Sequence, residues 1–333
     1  MNRLCQSSYG SLEAVISLSN FGGGDWRRLM HFTRDRMTGQ WSAQAVICDH
    51  PITGGSIVQN IAKLHDDQEH GDFEVVVLEE TGLKHYTRGN YVTAPLEVKA
   101  WECTATILAD DGSYPPAVAA APLLQTRIPM NGNIFETTLE TVVLGTDMTH
   151  VHYRCPQRTS SNLKQKWHRG ETIGGLGNGT GPATLYQTSP NMLLAFVPTK
   201  NGIEEYSFVA DAWKFIAVVS TMQGPTCVYS GPFSTPATLR ALVYQNFRIG
   251  EFEEDTGKIR ETPYHFVYNT NPISIVSQSS ARLGHSPTEA IAFHAGGTGW
   301  KDTWMVIHWS NPVGTNEWIV SSVVLGDITG MPL

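Results

Sequence analysis

The stretch Ala237–Asp255, ATLRALVYQNFRIGEFEED, reads as two short apolar strands divided by a polar break. Each strand carries one charged residue inside its alternation, Arg240 in LRALV and Glu251 in IGEFE. Apolar and polar residues alternating in this way specify half-buried β-strands. A cation and an anion placed within such strands need polar partners, because an unpaired charge taken out of water is costly. The same slot recurs along the chain, and its recurrence decides the fold.

Six short openings share one plan: RLCQSS, SIVQNI, PAVAAA, ATLYQT, TCVYSG and SIVSQS. Each is followed by a second run (LEAVIS, FEVVVL, LETVVL, LLAFVP, LRALVY, EAIAFH) and a third (LMHFTRD, LKHYTRG, HVHYRC, IEEYSF, IGEFEE, VIHWSN). Anchored on Leu4, Ile57, Val118, Leu185, Val228 and Ile275, the units are spaced by 53, 61, 67, 43 and 47 residues, and the last wraps through Leu333 back to Leu4. Gly, Pro, Asn and Asp punctuate the runs, and little stands at helical spacing. Repeats of this length and strand content build β-propellers. The sequence therefore predicts an all-β chain. It is a six-bladed β-propeller of four-stranded antiparallel blades, a single domain over residues 1–333, closed by pairing of its N- and C-terminal units.

Aligning the units gives Arg240 the counterparts Glu13, Glu74, Glu140, Leu193 and Glu289, and gives Glu251 the counterparts His31, His85, His152, Glu205 and His308. Four units thus pair Glu with His. Facing positions on antiparallel strands approach to about 5 Å, so Glu13–His31, Glu74–His85, Glu140–His152 and Glu289–His308 are expected in contact. A satisfied polar contact at a blade flank explains them without catalysis. A tryptophan follows the third run at Trp41, Trp101, Trp167, Trp213 and Trp318.

Composition narrows the function. The net charge of -8, with 23 Lys+Arg against 31 Asp+Glu and no basic cluster, excludes a nucleic-acid surface. No apolar run has the length of a membrane span, and MNRLCQSSYG lacks the hydrophobic segment of a signal peptide, so a soluble chain is expected, or a secreted one whose leader has been removed. The five cysteines, Cys5, Cys48, Cys103, Cys155 and Cys227, are odd in number and dispersed, as buried thiols would be rather than a disulfide framework or metal site. The sequon at Asn178 matters only in a secreted protein. Nucleotide, nucleophile-elbow, zincin and calcium-loop motifs are missing, and GGLGNGTG (Gly174–Gly181) lacks the strand–helix setting of a dinucleotide site. No cofactor and no metal are expected, and GGLGNGTG is read as a loop between blades.

The repeat number and strand grammar resemble the six-bladed propellers of fungal fucose-binding lectins. In that family an Arg on the second strand, a Glu on the third and a nearby aromatic platform hold sugar between blades. The resemblance implies a ligand site at Arg240 and Glu251, where both residue types stand together. The four Glu–His units depart from it, since they lack the guanidinium fork. The scaffold without its repeated triads also resembles the fungal hetero-Diels–Alderases of tropolone sesquiterpenoid biosynthesis. That likeness implies a cofactor-free pericyclase that couples a tropolone or phenol quinone methide to a humulene-type alkene. The innermost strands offer Gln6, Gln59, Tyr186, Gln187, Tyr229 and Gln278. On this second resemblance Tyr186, Tyr229, Gln59, Gln278 and Arg240 are the expected catalytic residues. The expected partner is a small hydrophobic substrate, or a glycan in the lectin alternative.

Overall fold

A computed structural model describes residues 4–7, 10–19, 27–60, 71–89, 100–109, 117, 122–129, 135–157, 166–189, 192–221, 226–230, 239–245, 248–253, 258–265, 274–276, 288–295, 303–311 and 319–329. Most side chains after Val219 lie outside the described set. Every regular element within it is a β-strand, and no helix there is long and apolar enough to cross a membrane.

Six sheets of four antiparallel strands follow one another along the chain. Blade 1 holds β1 (Leu4–Gln6), β2 (Leu12–Ser19), β3 (Arg27–Arg34) and β4 (Trp41–Asp49). Blade 2 holds β5 (Ser56–Gln59), β6 (Phe73–Glu79), β7 (Gly82–Arg88) and β8 (Glu102–Ala109). Blade 3 holds β9 (Leu123–Pro129), β10 (Phe135–Leu144), β11 (His150–Gln157) and β12 (His168–Ile173). Blade 4 holds β13 (Thr184–Ser189), β14 (Met192–Thr199), β15 (Gly202–Val209) and β16 (Ala212–Ser220). Blade 5 holds β17 (Thr226–Ser230), β18 (Leu239–Gln245), β19 (Arg248–Glu253) and β20 (Lys258–His265). Blade 6 holds β21 (Ser274–Val276), β22 (Thr288–Ala295), β23 (Thr303–Asn311) and β24 (Ile319–Thr329).

The innermost strands β1, β5, β9, β13, β17 and β21 touch in that order, and β21 touches β1 again. The ring closes where blade 6 meets blade 1. There Leu4, Leu12, Ala14, Ile16 and Phe32 form one buried cluster with Ile291, Val306 and Val324, and β24 lies against β4. Each hydrogen-bond ladder stays within its own blade, so the first and last units are joined by side-chain packing. Burying each of these aliphatic side chains contributes roughly 1.5–3 kcal/mol.

Blades are covered on both faces by their neighbours, which is why second strands read as unbroken apolar runs. All of β6 except Glu79 is buried. The cores accordingly lie between blades: Val15, Leu29 and Ile47 of blade 1 with Ile57, Val75 and Val77 of blade 2, and Val76, Leu78 and Leu83 of blade 2 with Leu139 and Val143 of blade 3. Outer strands face water, as in β12, where only Ile173 is buried. Strand β16 also faces water but does so with apolar residues: Phe215, Ile216 and Val218 are 57%, 49% and 45% exposed.

Two alignment expectations are corrected. The inner strand of blade 3 is β9, so its anchor is Leu123, opposite Thr141, rather than Val118. Val118 itself lies outside the described residues. In blade 4 the slot belongs to Leu194, opposite Ser207, rather than Leu193, because LLAF gives no alternation to fix the face.

Candidate functional site

The charged slots face the seams between blades. Glu13 stands opposite Thr33, Glu74 opposite Thr87, Glu140 opposite Arg154 and Arg240 opposite Glu253, so each third-strand partner (His31, His85, His152, Glu251) is the diagonal neighbour two residues earlier on the same face. Long side chains bridge that diagonal. His31 Nε2 is 2.9 Å from Glu13 Oε2, His85 Nε2 3.0 Å from Glu74 Oε2, and His152 Nε2 2.8 Å from Glu140 Oε2. The contacts expected from the sequence are thus made in three blades. His308 is buried, and the Glu289 side chain lies outside the described set.

The next blade completes each slot with its tryptophan. Trp101 of blade 2 meets His31 edge-on at 5.5 Å between ring centres, Trp167 of blade 3 meets His85 at 5.5 Å, Trp213 of blade 4 meets His152 at 5.2 Å, and Trp41 of blade 1 meets His308 at 5.7 Å. Each imidazole is therefore the joint between two blades.

The three fully described slots differ in how their polar atoms are satisfied. At the seam of blades 2 and 3, Glu74 accepts from Asn60 Nδ2 at 3.1 Å and from Thr87 Oγ1 at 2.6 Å. Gln125 donates to Asn60 Oδ1, and Trp167 Nε1 donates to His85 Nδ1 at 3.4 Å. At the seam of blades 3 and 4, Glu140 accepts from His152, from Thr126 Oγ1 at 3.2 Å and from Arg154 Nε at 3.3 Å. Arg154 continues to Asp211 at 3.2 Å and lies 5.1 Å over the Phe208 ring. His152 Nδ1 and Trp213 Nε1 are buried there without a partner.

At the seam of blades 1 and 2, Thr33 Oγ1 donates to Glu13 at 2.5 Å, and Arg88 Nη1 of blade 2 donates to His31 Nδ1 at 2.8 Å. A guanidinium has no acceptor, so His31 Nδ1 carries the lone pair and Nε2–H donates to Glu13. This imidazole is neutral. Burial pushes the His31 pKa below its ordinary value, against the raising effect of Glu13.

Arg88 and Arg154 were not singled out by sequence reasoning, which aligned only the slot itself. The signal was present as the repeated Thr-Arg after HF and HY in units 1 and 2. Of the residues expected to be catalytic, Gln59 is half-buried and donates its amide to the Gly71 carbonyl at 3.0 Å, which closes its own hairpin. Gln6 does the same towards Gly10 at 3.4 Å. Tyr186 is half-buried on β13 and pairs in register with the slot residue Leu194. Tyr229 stands opposite Arg240 in the β17–β18 ladder. The side chains of Tyr229, Arg240 and Glu251 lie outside the described set, as do Gln278 and Trp318 altogether.

The glycine-rich segment is a loop between blades 3 and 4, as expected. At Gly179 a Cβ would come within 2.7 Å of His150 Cε1 and Leu144 Cδ1, so glycine is there for close packing. Cys5, Cys48, Cys103 and Cys155 are free thiols; Cys48 and Cys155 are buried and Cys103 is exposed. Cys227 has its side chain outside the described set.

No protein-family model matches the chain, and no curated protein matches it in sequence. Solved structures do. A mutant of the Aleuria aurantia lectin in complex with Fucα1-6GlcNAc superposes with a TM-score of 0.62 at 12% identity, covering 100% of this chain and 99% of the lectin. The SapL1 lectin in complex with α-methyl fucoside gives 0.54 at 11% identity, covering 97% and 98%. A mutant α-L-arabinofuranosidase from Fusarium graminearum with an iminosugar inhibitor gives 0.50 at 13% identity, covering 88% and 87%. At these identities the likeness is one of fold, and the fold is that of the six-bladed fucose-lectin propeller.

Proposed function

We propose that this chain is a carbohydrate-binding propeller of the fucose-lectin type, acting as one domain, with a single competent site at the seam of blades 5 and 6. The observation that carries it is the geometry of the seams that follow blades 1, 2 and 3. In blades 1, 2 and 3 the second-strand Glu, the third-strand His and the next blade's tryptophan meet in one place. Backbone register on β18 and β19 gives Arg240 and Glu251 the same diagonal relation, and Trp318 stands in the sequence just before β24 as Trp41 opens β4, which supports the reading. A guanidinium fork, a carboxylate and an indole face form a donor, an acceptor and an apolar platform, which is what a hydroxylated ring with one apolar face requires. Titration calorimetry with α-methyl fucoside tests the reading. About one equivalent should bind per chain, and Arg240→Ala should abolish the heat; several equivalents, or none, would reverse it.

A second reading, a cofactor-free cyclase of the hetero-Diels–Alderase kind, is favoured by the absence of a second-strand Arg paired with a third-strand Glu from the other described slots. Buried Glu–His pairs fill them, and repetition is what gives a lectin avidity. In that reading Tyr186, Tyr229, Gln59, Gln278 and Arg240 orient a quinone methide against a terpene alkene. Orientation alone supplies on the order of 7–11 kcal/mol of barrier reduction at best. Gln59 is the weakest member, since its amide is already engaged by Gly71. Tyr186→Phe and Tyr229→Phe should then lower the yield of one stereoisomer above the uncatalysed mixture, and an unchanged product ratio with wild-type protein removes this reading.

A further inference from the structure

We propose that the seam of blades 1 and 2 binds an oxyanion, a carboxylate or phosphate group held by the Arg88 guanidinium and the Trp101 indole N–H. This goes beyond the sugar site at blades 5 and 6, and it uses a different seam and different chemistry.

Arg88 ends β7 and crosses into blade 1, where its single hydrogen bond goes to His31 Nδ1. It makes no ion pair and no other hydrogen bond among the described residues. The other arginines near the described slots are occupied otherwise. Arg154 bridges Glu140 and Asp211, Arg28 pairs with Asp49 at 2.9 Å, and Arg34, which holds the Arg88 position in blade 1, donates to the Gly39 carbonyl. The nearby carboxylate is not free to serve Arg88, because Glu13 faces His31 and Thr33. Glu13 acts on Arg88 through its charge, which partly offsets the burial that pulls the Arg88 pKa down.

A second donor at the same imidazole is also unsatisfied. Trp101 Nε1 is buried without a partner, while its ring stands edge-on to His31 at 88°. Leaving a buried donor unpaired costs about 1–3 kcal/mol. At the seam of blades 2 and 3 the matching indole, Trp167, has an acceptor in His85 Nδ1; here Arg88 has taken that acceptor.

The unspent groups are therefore donors. The only imidazole acceptor is consumed, and the carboxylate already has its donors. A neutral polyol would bring hydroxyl hydrogens that find little to accept them, whereas an oxyanion brings acceptors alone and matches a planar fork in two-point contact. The protein's net charge of -8 gives such a ligand no long-range attraction, so recognition depends on local contacts.

The test is titration calorimetry of the full chain at low ionic strength with acetate, inorganic phosphate, D-glucuronate and, as the uncharged control, glucose. One equivalent of at least one anion should bind, and the better probe separates a carboxylate from a phosphate ligand. Arg88→Gln should weaken that binding by about tenfold or more, the scale of one charge-assisted contact. Trp101→Phe should weaken it a few-fold, and Arg28→Gln should leave it unchanged. If Arg88→Gln does not fold, Arg88→Lys keeps the charge, loses the fork, and should still bind measurably less tightly. Absence of saturable binding by every anion would mean that ordered water satisfies Trp101, and would overturn the proposal. Equal affinity in the arginine variants, or glucose binding as tightly as glucuronate, would do the same.

Discussion

The seams of blades 2 and 3 and of blades 3 and 4 carry the same Glu–His–Trp core and solve its burial differently. Around Glu74 the partners are neutral: Asn60, Thr87, Thr104 and Gln125 satisfy both carboxylate oxygens and their neighbours, and the tryptophan N–H reaches the histidine. Around Glu140 the balance is ionic and aromatic. Arg154 supplies the charge, Phe208 and Trp213 enclose the imidazole, and His152 Nδ1 and Trp213 Nε1 are buried without a hydrogen bond, as His85 Nε2 is at the Glu74 seam. One slot is a hydrogen-bond network of neutral side chains, and the other holds an ion pair whose far end reaches solvent at Asp211. A repeated position need not have a repeated energy.

The largest effect should come from the neutral network. Glu74→Gln replaces one acceptor oxygen with an amide N–H2 that must face either the Asn60 amide or the Thr87 hydroxyl, and buried polar mismatch of this kind costs about 3 kcal/mol. Urea unfolding measures it, and a loss below about 1 kcal/mol would mean the network is dispensable.

Acid sharpens the contrast next. His150 sits beside the ionic seam, with Nε2 bonded to the Gly181 carbonyl at 2.9 Å, and burial pushes its pKa down. A depressed histidine gives stability that is complete above its unfolded value near 6.5 and declines as pH falls below it, by up to about 1.4 kcal/mol per pH unit for each such group. Hydrogen-exchange protection factors should therefore fall below pH 6.5 at the seam of blades 3 and 4 before they fall at the seam of blades 2 and 3, and His150→Gln should flatten the difference. The reverse order breaks the comparison. His31, facing Glu13 and Arg88, adds the same sign of slope at blades 1 and 2.

Arg154→Gln should cost about 1 kcal/mol, since the guanidinium is partly exposed and its loss leaves Glu140 with Thr126 and His152. The smallest effect belongs to Asp211→Asn. Its carboxylate is on the surface, so the change should stay within about 0.5 kcal/mol in a denaturant midpoint. A larger loss would show that the chain Glu140–Arg154–Asp211 acts as a unit.

Much of this was legible before any coordinates. The Glu and His slots, the following tryptophans and the six-fold plan are carried by residue types that recur in the same strand order within each unit, whatever the loop lengths between them. What escaped was whatever lacked alternation or crossed a seam. LLAF is apolar at every position, so nothing in it distinguishes Leu193 from Leu194. PAVAAA resembles an inner strand, yet LLQTRIP five residues on forms the ladder with β10. Arg88 and Trp101 act on His31 of the preceding blade, and a within-unit alignment has no way to join residues 57 positions apart. The channel glutamines were seen as lining, whereas two of them are spent on hairpin carbonyls.

The way the ring is closed has one more consequence. Blade 6 meets blade 1 through Ile291, Val306 and Val324 packed on Leu4, Leu12 and Phe32, and among the described residues every ladder stays inside its own blade. Topologically, that junction is equivalent to the other five. Any of the six seams could then serve as the opening of the ring: circular permutants of residues 1–333, opened in another inter-blade linker with residues 1 and 333 spliced, should reach the same architecture.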